Sequence, residues 1–300
     1  MKLLILGGTG FLSGTLARRA KEQGHEVWVT TRGQRPVPDG YHTLTVDRTD
    51  RAAFAQVIQS AGISWDGVFD CIGMTAADAR QDLEVFSSLA GHLVFVSSDF
   101  VYDPAYRRFP QSEESDHYLT SGYGGDKRAT EVEFLKAPPG VLAWTVLRPG
   151  HIYGPGSRLG CLPLHARDPE LISHLKQGHP LALVGGGHFL QQPIFAPDLV
   201  DLMFACLDNP RAHKQIFCAA GPEAVESRRY YQILADELAV PLKVTEVAVE
   251  PYLLEHPEHL SFCCHRIYDL TKLKKAGLPV PSTTLESGLA VHLKSLFPIL

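Results

Sequence analysis

Three hundred residues, 45% of them hydrophobic and 20% charged, supply apolar material for one large folded unit or two interlocked ones. The formal charge of −5 is spread without a block of like charges, which sets aside nucleic acid and anionic membrane surfaces as partners. Six cysteines without a CxxC pair or zinc spacing exclude a disulfide framework and a structural zinc site, so they read as reduced thiols. The opening MKLLILGG has the flavour of a signal peptide, but its apolar run stops at Gly7, and no later stretch is long enough for a bilayer. A cytoplasmic location is expected.

Short apolar runs at 3–6, 26–30, 43–46, 67–71, 92–97 and 143–147 alternate with helix-like stretches at 13–23 and 51–60. In a third such stretch Leu83, Phe86 and Leu89 recur at helical spacing. The alternation predicts βαβ units and six strands of a parallel sheet, an α/β fold. Past Pro149 the texture turns to Gly, Pro and His, as in Tyr153-Gly154-Pro155-Gly156 and Gly185-Gly186-Gly187-His188, and a domain boundary near 150 is expected. An apolar helix-like stretch at 199–207 and a strand-like run at 215–219 predict a return to the first domain.

The run 3–6 enters Gly7-Gly8-Thr9-Gly10-Phe11-Leu12-Ser13-Gly14, a strand, turn and helix start that matches the Rossmann dinucleotide fingerprint. Gly7 takes the tight turn and Gly10 lets backbone N–H groups approach a pyrophosphate, while Ser13 replaces the usual third glycine. An NAD enzyme places a carboxylate at the end of the second strand. Here that strand ends in Thr31-Arg32-Gly33, so Arg32 and Arg35 are expected to meet a 2′-phosphate: NADP(H) is favoured and NAD(H) is possible. Asp47, closing the third strand, is the expected partner of the adenine amino group.

Ser97-Ser98-Asp99 follows the fifth strand, and Tyr123 and Lys127 stand four apart, on one helix face. The Lys127 ammonium is expected to lower the Tyr123 phenol pKa, so that Tyr123 exchanges a proton with a substrate oxygen that Ser98 also contacts.

These residues resemble the extended branch of the short-chain dehydrogenase/reductase family, which includes NAD(P)-dependent sugar-nucleotide epimerases, dehydratases and keto-sugar reductases. The resemblance rests on Gly7-x-x-Gly10-x-x-Ser13, Asp47, Gly73, Ser97-Ser98-Asp99-Phe100-Val101-Tyr102, Tyr123-x-x-x-Lys127 and 147–156. It implies catalytic roles for Ser98, Tyr123 and Lys127, with Asp99 a further catalytic candidate. Asp99 falls where dehydratases keep an acid, but Phe100 replaces their neighbouring Glu, which speaks against dehydration. Thr9, Phe11, Leu12, Thr31, Arg48, Cys71, Gly73, Tyr123, Lys127 and Pro149 are expected to border the cofactor. The implied architecture is a doubly wound Rossmann domain, 1–150 with 192–221, beside a smaller substrate lobe from 151–191 and 222–300, and the family often forms dimers.

Members acting on nucleotide sugars keep an Asn and an Arg near the substrate diphosphate where this chain has His151 and Gln191. The expected substrate is therefore a carbohydrate-like small molecule without a diphosphate, bound by Ser98, His151 and Gln191. The leading expectation is hydride transfer between NADP(H) and a secondary alcohol or ketone. The alternatives are a redox-neutral NAD-dependent sugar epimerase and a non-catalytic RNA-binding or scaffolding relative. The remaining histidines, including His174, His179, His256 and His259, show no partner carboxylate motif, and no metal site is expected.

Overall fold

The computed structural model describes residues 1–297. The alternation read from the sequence is realised as β1 Lys2–Leu6, α1 Phe11–Glu22, β2 Glu26–Thr31, β3 His42–Thr45, α2 Arg51–Ser60, β4 Trp65–Asp70, α3 Ala76–Phe86, β5 Ala90–Val96, α4 Gly122–Lys136 and β6 Ala143–Pro149. The strand Gln215–Ala219 pairs with β6 and completes a seven-stranded sheet in the order Gln215–Ala219, β6, β5, β4, β1, β2, β3, parallel throughout. Central β1 is apolar at every interior position because helices cover both faces. Leu16, Ala17 and Ala20 of α1 and Leu199, Leu202 and Met203 of the helix Ala196–Leu207 fill one side; Phe54, Ile58, Phe86 and Phe134 fill the other.

After β1 the chain runs outward through β2 and β3, then returns to lay β4 on the opposite flank of β1. This reversal opens a crevice at the carboxyl ends of β1 and β4, the usual binding position in such sheets. A separate apolar cluster, with Leu171, Leu181, Tyr230, Tyr231, Leu234 and Leu289, joins Leu171–Lys176, Leu181–Val184, Ser227–Glu237 and Leu285–Leu296 into a second layer over the crevice. One segment departs from the expected division. Leu273, Ala276 and Leu278 sit in the sheet-domain core rather than in the substrate lobe, and Lys272 Nζ donates to the Ile216 carbonyl at 2.8 Å. Apolar spacing within 271–278 carried no sign of which core it would join. Among the described residues, no helix is long and apolar enough to cross a membrane.

The helix α4 is held to the sheet by a buried ion pair. Arg148 of β6 donates from Nε to Glu131 Oε1 at 2.8 Å and from Nη2 to Oε2 at 2.6 Å, with both side chains at most 1% exposed. Ser97 Oγ and Arg128 Nη1 also donate to Glu131, at 2.6 and 2.9 Å, and Arg148 Nη1 donates to the Tyr102 hydroxyl and the Glu113 carbonyl, both at 2.8 Å. Removing one partner strands the other charge in a dry interior, at a cost of about 3–5 kcal/mol. Arg148→Met is therefore expected to lower the unfolding free energy in urea by about that amount; an unchanged transition would show that the pair does not clamp α4.

Candidate functional site

Gly7 and Gly8 leave β1 with φ of 112° and 83°, the left-handed region that favours glycine, and a Cβ on Gly8 would lie 2.5 Å from the Val29 side chain. Gly10 caps α1 in extended conformation, and Ser13 Oγ accepts its N–H at 3.1 Å. The turn borders a cavity of about 570 Å³ that Thr9, Thr31, Arg32, Arg35, Asp47 and Arg48 also line. A chamber of about 510 Å³ shares the wall residues Gly10, Ser13, Ile72 and Met74 with it. Phe11, Leu12, Cys71, Ser98, Asp99, Tyr123, Lys127, Pro149 and His151 line the chamber. Two joined spaces flanking an α1 N-terminus suit the two halves of a dinucleotide.

Arg32 and Arg35 are exposed at the rim of the first cavity, and no carboxylate ends β2. Asp47 accepts from the Thr49 N–H and hydroxyl at 2.9 and 2.8 Å, and these bonds hold its carboxyl below the usual range. Arg48 lines the same cavity, and its guanidinium is committed to Asp70 at 2.8 Å and Asp82 at 3.0 Å, so it walls the cavity without offering a free cation. Burial and the neighbouring Asp70 push Asp82 well above the ordinary carboxylate range. Arg48 and the bond from Asp82 outweigh burial to keep Asp70 ionised. Asp70 in turn accepts the N–H groups of Ile72 and Gly73 at 2.8 and 2.7 Å and fixes the loop after β4.

Lys127, only 3% exposed, donates to the Gly73 carbonyl at 2.6 Å and to the Val96 carbonyl at 2.9 Å. Burial lowers its pKa to about 8. Tyr123 keeps nearly half its surface exposed. Its phenol is raised above the ordinary value by desolvation, with hydrogen bonding to Ser98 opposing. The expected lowering by Lys127 is thus corrected: the ammonium is engaged by the Gly73 and Val96 carbonyls, and desolvation of the phenol outweighs the bond with Ser98.

Asp99 is buried and accepts from the Tyr268 hydroxyl, with Arg266 Nη1 at 3.5 Å and Arg107 Nη2 at 4.0 Å from Oδ2. An acid so engaged is anchored, and only Ser98 Oγ, at 3.4 Å, links it to the proton-transfer group. His151 lines the chamber as expected, and burial together with Arg266 and Arg167 lowers its pKa to about 3, so it is neutral near pH 7. Gln191 is corrected as a substrate ligand. Its amide donates to the Leu162 carbonyl and Ser227 Oγ, and its Oε1 accepts from Arg266 at 2.8 Å. It supports Arg266, which does line the chamber. Sequence reading missed Arg107, Arg167, Arg266 and Tyr268. The one available signal was the spacing of Arg266 and Tyr268, two apart and hence on one face of an extended segment.

His256, Glu258 and His259 also come together, which motif reading did not anticipate. The two imidazoles stack at 5.2 Å with planes 20° apart, so their in-plane lone pairs run nearly parallel and do not converge on one ion.

The profile of the NAD dependent epimerase/dehydratase family matches residues 3–220. A chloroplast stem-loop binding protein of 41 kDa from Arabidopsis thaliana is 28% identical over 239 residues, covering 75% of this chain and 60% of that relative. The 2′-dehydrokanamycin reductase of Streptomyces kanamyceticus is 28% identical over 255 residues, covering 83% and 70%. The match thus spans less than two thirds of the first relative's length. Among solved structures, Pal from Bacillus thuringiensis superposes with a TM-score of 0.79 at 20% identity, covering 99% of each chain. UDP-glucose 4-epimerase from Thermotoga maritima superposes at 0.77 with 16% identity, covering 99% of this chain and 98% of that one. At such identities the superpositions speak for the fold. The profile match runs through every strand of the central sheet, from β1 to Gln215–Ala219, and the chain belongs to the NAD dependent epimerase/dehydratase family.

Proposed function

We propose that the chain is an NADP(H)-dependent oxidoreductase that moves a hydride to or from a secondary alcohol or ketone on a sugar-like small molecule. The observation that carries this reading is the placement of Ser98, Tyr123 and Lys127 on the walls of one chamber that adjoins the glycine turn. The family profile and a relative named for reducing 2′-dehydrokanamycin support it. The net charge of −5 favours it over a nucleic-acid role. Six cysteines without a disulfide agree with the reducing, cytoplasmic setting that the reading carries.

When bound, the nicotinamide would supply or accept the hydride. The Gly7–Gly10 turn and the α1 N–H groups would hold the pyrophosphate, with Arg32 and Arg35 on the adenosine phosphate. Tyr123 gives its phenolic proton to the substrate oxygen during reduction and takes it back during oxidation. Ser98 Oγ orients that oxygen. The raised phenol pKa keeps Tyr123 protonated at neutral pH, which suits the reductive direction.

Three outcomes follow from this assignment. NADPH is expected to bind at least about tenfold more tightly than NADH, a gap of roughly 1.4 kcal/mol that Arg32→Ala should erase. Equal affinities in fluorescence titration of the unmodified protein would favour the epimerase alternative instead. Tyr123→Phe keeps the ring and should leave cofactor binding intact while turnover falls about a hundredfold or more; near-normal turnover would remove Tyr123 from the reaction. Because Lys127 titrates near 8, its ammonium is present below that pH and lost above it. NADPH affinity is expected to weaken as pH rises through about 8, and the step should vanish in Lys127→Met; a pH-independent affinity in the unmodified protein would show that the ammonium does not hold the cofactor.

A further inference from the structure

Beside Ser98 the chamber rests on a small buried group of charges. Arg107 and Arg266 are at most 2% exposed by side chain, Asp99 is 3% exposed, and Tyr268 is buried. Burial and the adjacent Asp99 hold the Tyr268 hydroxyl well above its ordinary pKa, and burial raises the Cys264 thiol, so both are neutral. Two guanidinium charges thus face one carboxylate, leaving a net of +1 in this group. A buried charge without a counterion costs several kcal/mol, which an incoming anion offsets.

Arg266 is the member placed to meet that anion. It lines the chamber with Tyr123, Ser98 and His151, whereas Arg107 does not. Its Nη2 donates to Gln191 Oε1 at 2.8 Å, its guanidinium packs 5.3 Å from the Phe100 ring centroid, and its Nε has no hydrogen-bond partner. The fork is therefore oriented by its neighbours and keeps an unsatisfied buried N–H, a group that costs about 1–3 kcal/mol when left unpaired. Arg167 lines the same chamber. His151, held neutral by burial and by these two cations, adds a hydrogen-bonding group without a competing charge.

We propose that Arg266 binds an anionic group, a carboxylate or a phosphoryl group, carried on the substrate near the carbon that reacts at Tyr123. This rests on the hydride-transfer reading of the chamber, and it places the anion at the reacting end because Arg266 reaches Asp99, the residue next to Ser98. A planar guanidinium receives either anion through paired hydrogen bonds, and the expectation of a carbohydrate-like substrate without a diphosphate is narrowed accordingly. Gln191 is a positioning residue for that fork.

The test is calorimetric binding to the full chain, with and without saturating NADPH. The probes are acetate, inorganic phosphate, D-glucose, D-glucuronate and D-glucose 6-phosphate. The acetate and glucuronate arms separate a carboxylate site from the phosphoryl site that the other two anions report. At least one arm is expected to bind tenfold or more tightly than D-glucose, to lose that advantage in Arg266→Gln and to recover most of it in Arg266→Lys. The Gln variant should keep the NADPH affinity of the unmodified protein, which controls for folding. No anion binding, equal affinity for D-glucose and the charged probes, or an advantage that survives Arg266→Gln overturns the proposal. Anion binding that depends on Arg266 in a chain for which Tyr123→Phe changes no NADPH-linked turnover upholds the anion site and counts against the hydride reading alone.

Discussion

The ion pair between Arg148 and Glu131 is the constraint on which the chemistry depends, because it sets where α4 lies relative to the sheet. A helix packed by apolar contacts alone can slide by fractions of a turn at small cost, and α4 offers few such contacts: Phe134 is its one fully buried aromatic. The carboxylate of Glu131 removes that freedom. It joins Arg148 on β6 to Ser97 at the end of β5, and both strands end at the chamber. Tyr123 and Lys127 lie about two turns and one turn before Glu131 on the same helix, so their positions follow from that anchor. Lys127 then ties two further elements together through the Gly73 and Val96 carbonyls.

A second charge arrangement governs the adenosine side. Three aspartates crowd one arginine, and burial together with their mutual repulsion pushes Asp82 well above the ordinary carboxylate range. The gain is a rigid loop at residues 72 and 73, whose N–H groups are held by Asp70 rather than left to solvent. The two networks share the Gly73 neighbourhood, where one fixes the N–H and the other the carbonyl. The crevice floor is thereby preorganised before any ligand arrives.

The sheet was readable because its strands are short, mostly apolar runs whose few interior polar residues, such as His92 and Thr145, do not break the pattern, and the helices between them show the companion spacing. The glycine turn, Ser98, Tyr123 and Lys127 were readable because each belongs to a local pattern. Arg266 and Tyr268 were not, since their importance comes from meeting Asp99 across 167 and 169 positions of chain. Gln191 was misplaced for a related reason, and the commitment of Arg48 was hidden in the same way. A sequence gives the residue type at a position but not the partner that engages it, and both side chains are spent on buried neighbours.

The return of 271–278 to the sheet-domain core has a mechanical and evolutionary consequence. Arg266 stands only five residues before Thr271, where that anchored segment begins, and its own N–H donates to the Leu190 carbonyl at 2.8 Å, so the wall that carries it is tied to the sheet core on one side and to the strand Leu190–Gln191 on the other. Ile152 likewise packs against the sheet core. A shift of the upper layer would therefore be passed to Arg266 rather than absorbed beside it. A lineage could acquire new ligands by reshaping loops in place and retain its stability, whereas transplanting the whole upper layer as a module would cut through the core that holds the sheet together.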